Sequence, residues 1–88
     1  MRNLYDKLIN RWALDESIKD ELRLLLIISS LIKRFGKCDK SNFFFSQLLN
    51  ESPTTINDQL KKLKSKGYIK ISTKEEREIT IIHLKNIK

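Results

Sequence analysis

Glycine and proline together occur only three times in the 88 residues, as Gly36, Pro53 and Gly67. With so few breakers each one acts as punctuation, and the chain between them is free to be regular. Gly36 and Gly67 each follow an apolar-periodic stretch ending in basic residues, where a left-handed helix-terminating residue is expected. Ser52-Pro53 reads as an N-cap followed by proline at the first helical position. Two helix ends and one helix start are thereby placed.

The hydrophobic pattern between these marks predicts four helices and then a hairpin. Residues 3–13 set Leu4, Tyr5, Leu8, Ile9 and Trp12 on one helical face, with Asp6, Lys7, Asn10 and Arg11 outside it. A second helix is expected over 16–35, with Ser17 and Asp20 resembling a capping box. Its apolar residues from Ile18 to Phe35 leave only a strip of Lys19, Arg23, Ser30 and Arg34 polar, so it should be central. A third helix, 41–50, carries Phe43, Phe44 and Phe45, expected to pack in the core rather than to stack on bases. A fourth, 53–66, has a narrow stripe of Ile56, Leu60 and Leu63. After Gly67 the period falls to two: 68–72 and 78–84 read as strands joined by 73–77. The expected fold class is α+β, mainly helical, as one domain over 1–88.

Lys and Arg outnumber Asp and Glu by 18 to 11, a formal charge of +7. The excess is local: residues 1–32 are neutral, 33–40 carry +3, 41–59 carry −2 and 60–88 carry +6. A polyanionic partner is the first to consider. The single cysteine and single histidine, Cys38 and His83, exclude an internal disulfide and a zinc centre of either kind, so neither metal nor cofactor is expected. Cys38 is expected to be an idle surface thiol rather than a redox sensor, and His83 to be structural. The apolar run Leu24–Ile32 is far shorter than the roughly 20 residues of a membrane span. The first residues lack the pattern of a secretory signal. A cytoplasmic location without membrane contact is therefore expected, nucleoid-associated if the polyanionic partner is DNA. No Ser/His/Asp set, glycine-rich phosphate loop or ligand cluster appears, so enzyme activity is not expected.

The stretch 45–72 carries the functional signal. Ser46, Asn50 and Ile56 are spaced as in a helix-turn-helix. A small residue lets two helices approach, a residue tolerant of the left-handed region makes the turn, and an aliphatic fastens the second helix. Ser52-Pro53-Thr54-Thr55-Ile56-Asn57-Asp58-Gln59-Leu60-Lys61-Lys62-Leu63-Lys64-Ser65-Lys66-Gly67-Tyr68-Ile69 resembles the winged helix-turn-helix superfamily of MarR- and ArsR-type regulators. It departs from that pattern at Asn50, where glycine is usual, at Glu51, a usually apolar turn position, and in a wing without its common glycine. The resemblance implies a winged helix-turn-helix: an accessory or dimerisation helix over 1–14, the helix-turn-helix over 41–66 and a β-hairpin wing over 68–84. It implies sequence-specific binding of double-stranded DNA by a homodimeric transcriptional regulator.

In that docking mode Thr54, Thr55, Asn57 and Asp58 are candidate base readers. Lys61, Lys62 and Lys64, with Lys74 and Arg77 of the wing, are candidate phosphate contacts. Leu4, Leu8 and Trp12 are candidate dimer contacts, although Trp12 on such a helix is more often core. The alternative function is a winged-helix protein-interaction module in a replication, transcription or membrane-remodelling assembly. Asp58, Glu75 and Glu76 on the presumed DNA face argue for it.

Overall fold

The computed structural model describes the backbone of residues 4–74 and 76–82, and within those bounds the side chains from residue 9 onward. The order is α1 (Leu4–Leu14), a single 3-10 turn (Glu16–Ile18), α2 (Leu22–Phe35), α3 (Asn42–Leu49), α4 (Pro53–Ser65), β1 (Ile69–Ser72) and β2 (Glu78–Ile81). The architecture is α+β and mainly helical, with one two-stranded antiparallel sheet. The hairpin register pairs Ile69 with Ile81 and Ile71 with Ile79. Residues 83 and 84, expected to extend the second strand and to include His83, lie outside the described residues, as does Glu75 in the hairpin loop.

The punctuation acts as the sequence implies. Ser41 and Ser52 cap α3 and α4, each hydroxyl accepting a backbone amide at 3.1 Å, from Phe44 and Thr55 respectively. Gly36 ends α2 with φ of +86° and Gly67 follows α4 with φ of +85°. A Cβ at Gly36 would meet nothing within 4 Å. The positive φ, not lack of space, is what asks for glycine there. Asn50 takes the αL conformation, φ 58° and ψ 48°, and turns the chain from α3 into α4. Ser46 is buried where those two helices pack, its hydroxyl donating to the Phe43 carbonyl at 2.8 Å.

One apolar cluster runs from Trp12 and Ile18 through Leu24, Leu25 and Ile28 of α2 to Phe45, Ile56, Leu60, Leu63, Ile69 and Ile79. α2 packs against α1, α3 and β2, the central position its wide apolar surface requires. Leu26, Ile27, Leu31 and Ile32 are only half-buried. The hairpin joins the helical body through a bridge between Cys38 and Ile79, whose amide donates to the Cys38 carbonyl at 2.8 Å.

Three sequence expectations change. The helix expected over 16–35 is two pieces, and Ser17 with Asp20 forms no capping box. Asp15 is the cap instead, accepting from the Ser17 amide at 3.0 Å and from its hydroxyl at 2.6 Å. The Tyr68 hydroxyl donates to the same carboxylate and the Lys66 ammonium stands 3.8 Å away. With Asp15 tied to the C-terminal end of α4 in this way, the chain runs a single 3-10 turn and starts its helix afresh at Leu22. Cys38 is fully buried and not a surface thiol; burial pushes its pKa up, so it is a small core residue rather than a reactive one. Of the three phenylalanines only Phe45 is in the core; Phe44 is half-buried and Phe43 is 64% exposed.

Two outcomes follow from these contacts. Hydrogen bonds to the Asp15 carboxylate, from Ser17 first and Tyr68 next, hold its pKa down at about 2 against an ordinary 3.8. A carboxyl whose folded pKa is depressed stabilises the fold above its ordinary pKa, and that contribution is lost as pH falls toward the folded value. Stability measured by urea unfolding should therefore drop between about pH 4 and pH 2, and Asp15→Asn should remove much of that dependence. At the turn, Asn50→Gly should leave the unfolding midpoint unchanged or raised. Asn50→Val should cost about 1–2 kcal/mol, because a branched side chain is strained in αL.

Candidate nucleic-acid interface

α4 is attached to the body by one side. Ile56, Gln59, Leu60 and Leu63 are buried at spacings of three and four, so they form a single stripe. Thr54, Asn57, Asp58, Lys61, Lys64 and Ser65 lie on the remaining surface and are exposed to solvent. Lys61 and Lys64 have no ion-pair partner among the described residues. Thr54 and Asn57, near the helix start, likewise hold no side-chain hydrogen bond there. This face combines amide, hydroxyl and methyl groups at the N-terminal half with ammonium groups beyond them. Chemically it can accept base edges at one end and phosphate at the other.

Four of the expected contacts are spoken for. Thr55 is half-buried, and the Ser52 hydroxyl donates to its Oγ1 at 2.9 Å, so it completes the cap of α4 instead of reading bases. Lys62 sits on the flank nearest α2, where its ammonium lies 3.4 Å from a Glu21 carboxylate that is only 9% exposed. A phosphate would have to draw Lys62 away from that nearly buried charge. Arg77 is not a free wing cation. Its guanidinium donates to Asn42 Oδ1 at 2.6 Å and to the Lys40 carbonyl, which fastens the start of β2 to the start of α3. Trp12 is fully buried in its own core, so its ring is no dimer contact. Leu4 and Leu8 lie within α1, and their side chains fall outside the described residues. Lys74 is exposed, in a shallow pocket of about 360 Å³ that it shares with Lys37, Glu76 and Glu78.

Glu21 and Gln59 are functional neighbours that sequence reasoning overlooked. Gln59 donates to the Asp20 carbonyl at 3.4 Å and holds α4 against the segment before α2. Its spacing of three from Ile56 and four from Leu63 was a sufficient signal that it faces inward. Glu21 has no such mark in the sequence, since its burial depends on α4 crossing over it. Together these residues shape a groove of about 620 Å³ beside α4, lined by Lys19, Asp20, Glu21, Arg23, Asp58 and Lys62 among others. Asp58 thus borders a mixed-charge groove as well as the exposed face that carries Thr54 and Lys61.

Among the described residues no helix is long and apolar enough to cross a membrane, and no group of three or more His, Cys, Asp or Glu is placed to hold a metal ion. Because Arg77 ties two elements together with charge-assisted hydrogen bonds, Arg77→Ala should lower stability by about 1–2 kcal/mol. Urea unfolding checks that outcome. Neither a family model, nor a curated protein, nor a solved structure matches this chain.

Proposed function

We propose that the chain is a winged helix-turn-helix protein that binds double-stranded DNA and regulates transcription as a homodimer. The observation that carries the reading is the free surface of α4: Thr54, Asp58, Lys61 and Ser65 lie opposite the buried stripe, Asn57 and Lys64 flank it, and all six are exposed. It is supported by the sharp αL turn at Asn50 between α3 and α4 and by the hairpin that follows α4 directly. A recognition helix in the major groove needs that combination of rigid attachment on one side and a polar, cationic free side. Asn57 suits the N6 and N7 edge of adenine, the Thr54 methyl suits thymine, and Lys61, Lys64 and Lys74 suit phosphates. The apolar residues that α1 leaves exposed, Ile9 and Leu14, supply the two-fold contact in this reading.

The mixed-charge groove favours a second reading, in which the same domain binds a protein. Asp20, Glu21 and Asp58 beside α4 would repel a phosphate backbone and accept a basic side chain. Duplex binding separates the two. If Lys61, Lys64 and Lys74 each meet a phosphate, log K should fall against log salt with a slope of about −3 for one protomer and about −5 for a dimer. Lys61→Ala and Lys64→Ala should weaken all duplexes alike, Lys62→Ala less so, and Asn57→Ala should relax preference at one base pair. Selection from random duplex DNA at two salt concentrations, followed by titration of these variants, is the test. A protein that shifts no duplex at low salt overturns the DNA reading and leaves the groove as a protein contact.

A further inference from the structure

α3 is apolar on both of its sides, and only one of them is used by the core. Phe45 and Leu49 point inward and are buried. Phe43 and Leu48 point outward, 64% and 52% exposed, with half-buried Phe44 between them. They line a groove of about 440 Å³ whose remaining walls are Ser41 and Gln47. Neighbouring exposed side chains of this size are uncommon on a soluble surface and mark contact sites.

The margin of this groove is cationic. The Lys40 ammonium lies 5.2 Å from the centre of the Phe44 ring and also borders a second pocket with Phe35, Lys37 and Asp39. Phe35 is itself 64% exposed, with the Arg34 guanidinium 5.8 Å from its ring centre. Asp39 is the acidic residue of this rim, and Lys37 stands 3.9 Å from it. Lys40 therefore joins the apolar groove to the Phe35 pocket, whose edge carries Arg34 and the Lys37–Asp39 pair, Lys37 also bordering Glu76 and Glu78 of the hairpin.

We propose that the outer face of α3, together with the loop that precedes it, docks an acidic amphipathic helix of a partner protein. Apolar side chains of that helix, spaced three and four apart, enter the Phe43–Leu48 groove, and its carboxylates meet Lys40 first and Arg34 beyond it. Charge complementarity selects this occupant. A second copy of the chain would bring an equally basic rim against this one, in a protein of net charge +7. Single-stranded nucleic acid would need a row of open ring faces for stacking; cations stand over Phe35 and Phe44 and Phe45 meets Phe44 edge-on at 5.4 Å, which leaves Phe43 as a single open ring in the groove. The inference does not rest on DNA binding, because the outward residues of α4 line neither pocket.

The test uses the full chain and a fluorescein-labelled synthetic peptide of about 18 residues, five helical turns, with Leu and Phe on one face and Glu on the other. Its controls are a scramble of the same composition and a version with Lys in place of Glu. The acidic amphipathic peptide should bind at least about tenfold more tightly than either control. Phe43→Ser and Leu48→Ser should each abolish most of that binding with the unfolding midpoint unchanged, since both side chains are exposed. Lys40→Glu should weaken it and Lys40→Arg preserve it. Equal binding of the scramble overturns the proposal. So does binding of a poly-dT oligonucleotide that depends on Phe43 and Leu48, which would make the surface a nucleic-acid site. A wild-type dimer that sediments as a monomer after Phe43→Ser overturns it too, because the occupant would then be a second copy. Duplex binding measured on the same variants keeps this outcome separate from that of the DNA reading.

Discussion

The hydrogen bond from the Ile79 amide to the Cys38 carbonyl, 2.8 Å long, joins the two halves of this molecule. A two-stranded hairpin alone is marginal in water, and β1 and β2 are four residues each. Pairing β2 with the segment between α2 and α3 gives the hairpin a third backbone partner, and it turns Ile69, Ile79 and Ile81 into the helical core. Arg77 reinforces the same junction two residues earlier by its bonds to Asn42 and the Lys40 carbonyl. The hairpin is therefore fixed relative to α3. Since α3 is fixed to α4 through Ser46 and the Asn50 turn, the outward face of α4 has a defined position beside the hairpin.

That chain of attachments explains why so small a domain can leave much of its polar surface uncommitted. α4 buries a narrow stripe and needs no more, because the ends of the helix are held independently. Ser52 and Thr55 close its start, and Lys66, Asp15 and Tyr68 gather at its end. The Asp15 cluster also sets the path into α2. One carboxylate thus links α1, the 3-10 turn and the beginning of the hairpin, and its depressed pKa records how completely its oxygens are used.

Much of this was legible in the sequence, because each helix boundary rests on a local rule. The glycines, Pro53 and Asn50 act through backbone conformation, and Ser52 through a cap on an amide three residues on, which neighbours in sequence suffice to specify. The period-two pattern after Gly67 likewise needed no tertiary information. What could not be read depends on distant pairs. The break before α2 requires Asp15 to meet Tyr68, 53 residues away in sequence. The engagement of Arg77 requires a partner 35 residues away. Phe43 illustrates the opposite failure: helical spacing distinguishes one face from another, but it cannot tell which face the body covers when both are apolar.

The distribution of charge follows the same logic and sharpens what a net value means. Lys62 and Lys66 stand against Glu21 and Asp15, Lys37 against Asp39, and Arg77 is spent on the body. Lys40, Arg34 and Arg11 lie over aromatic rings. Among the described cations, Lys61, Lys64, Lys70 and Lys74, on α4 or the hairpin, are exposed with neither an ion pair nor a ring contact, as are Lys19 and Arg23, which line the groove with Asp20, Glu21 and Asp58. A polyanion approaching the surface meets its least costly contacts on α4 and the hairpin, where no internal pair must first be broken. The cations of the α2–α3 loop, set among exposed rings, instead favour a partner that offers carboxylates and apolar groups together. Among the described residues the cations thus lie on surfaces of different chemistry, and α3, packed against α4 on one side and carrying exposed Phe43 and Leu48 on the other, is the element on which both depend.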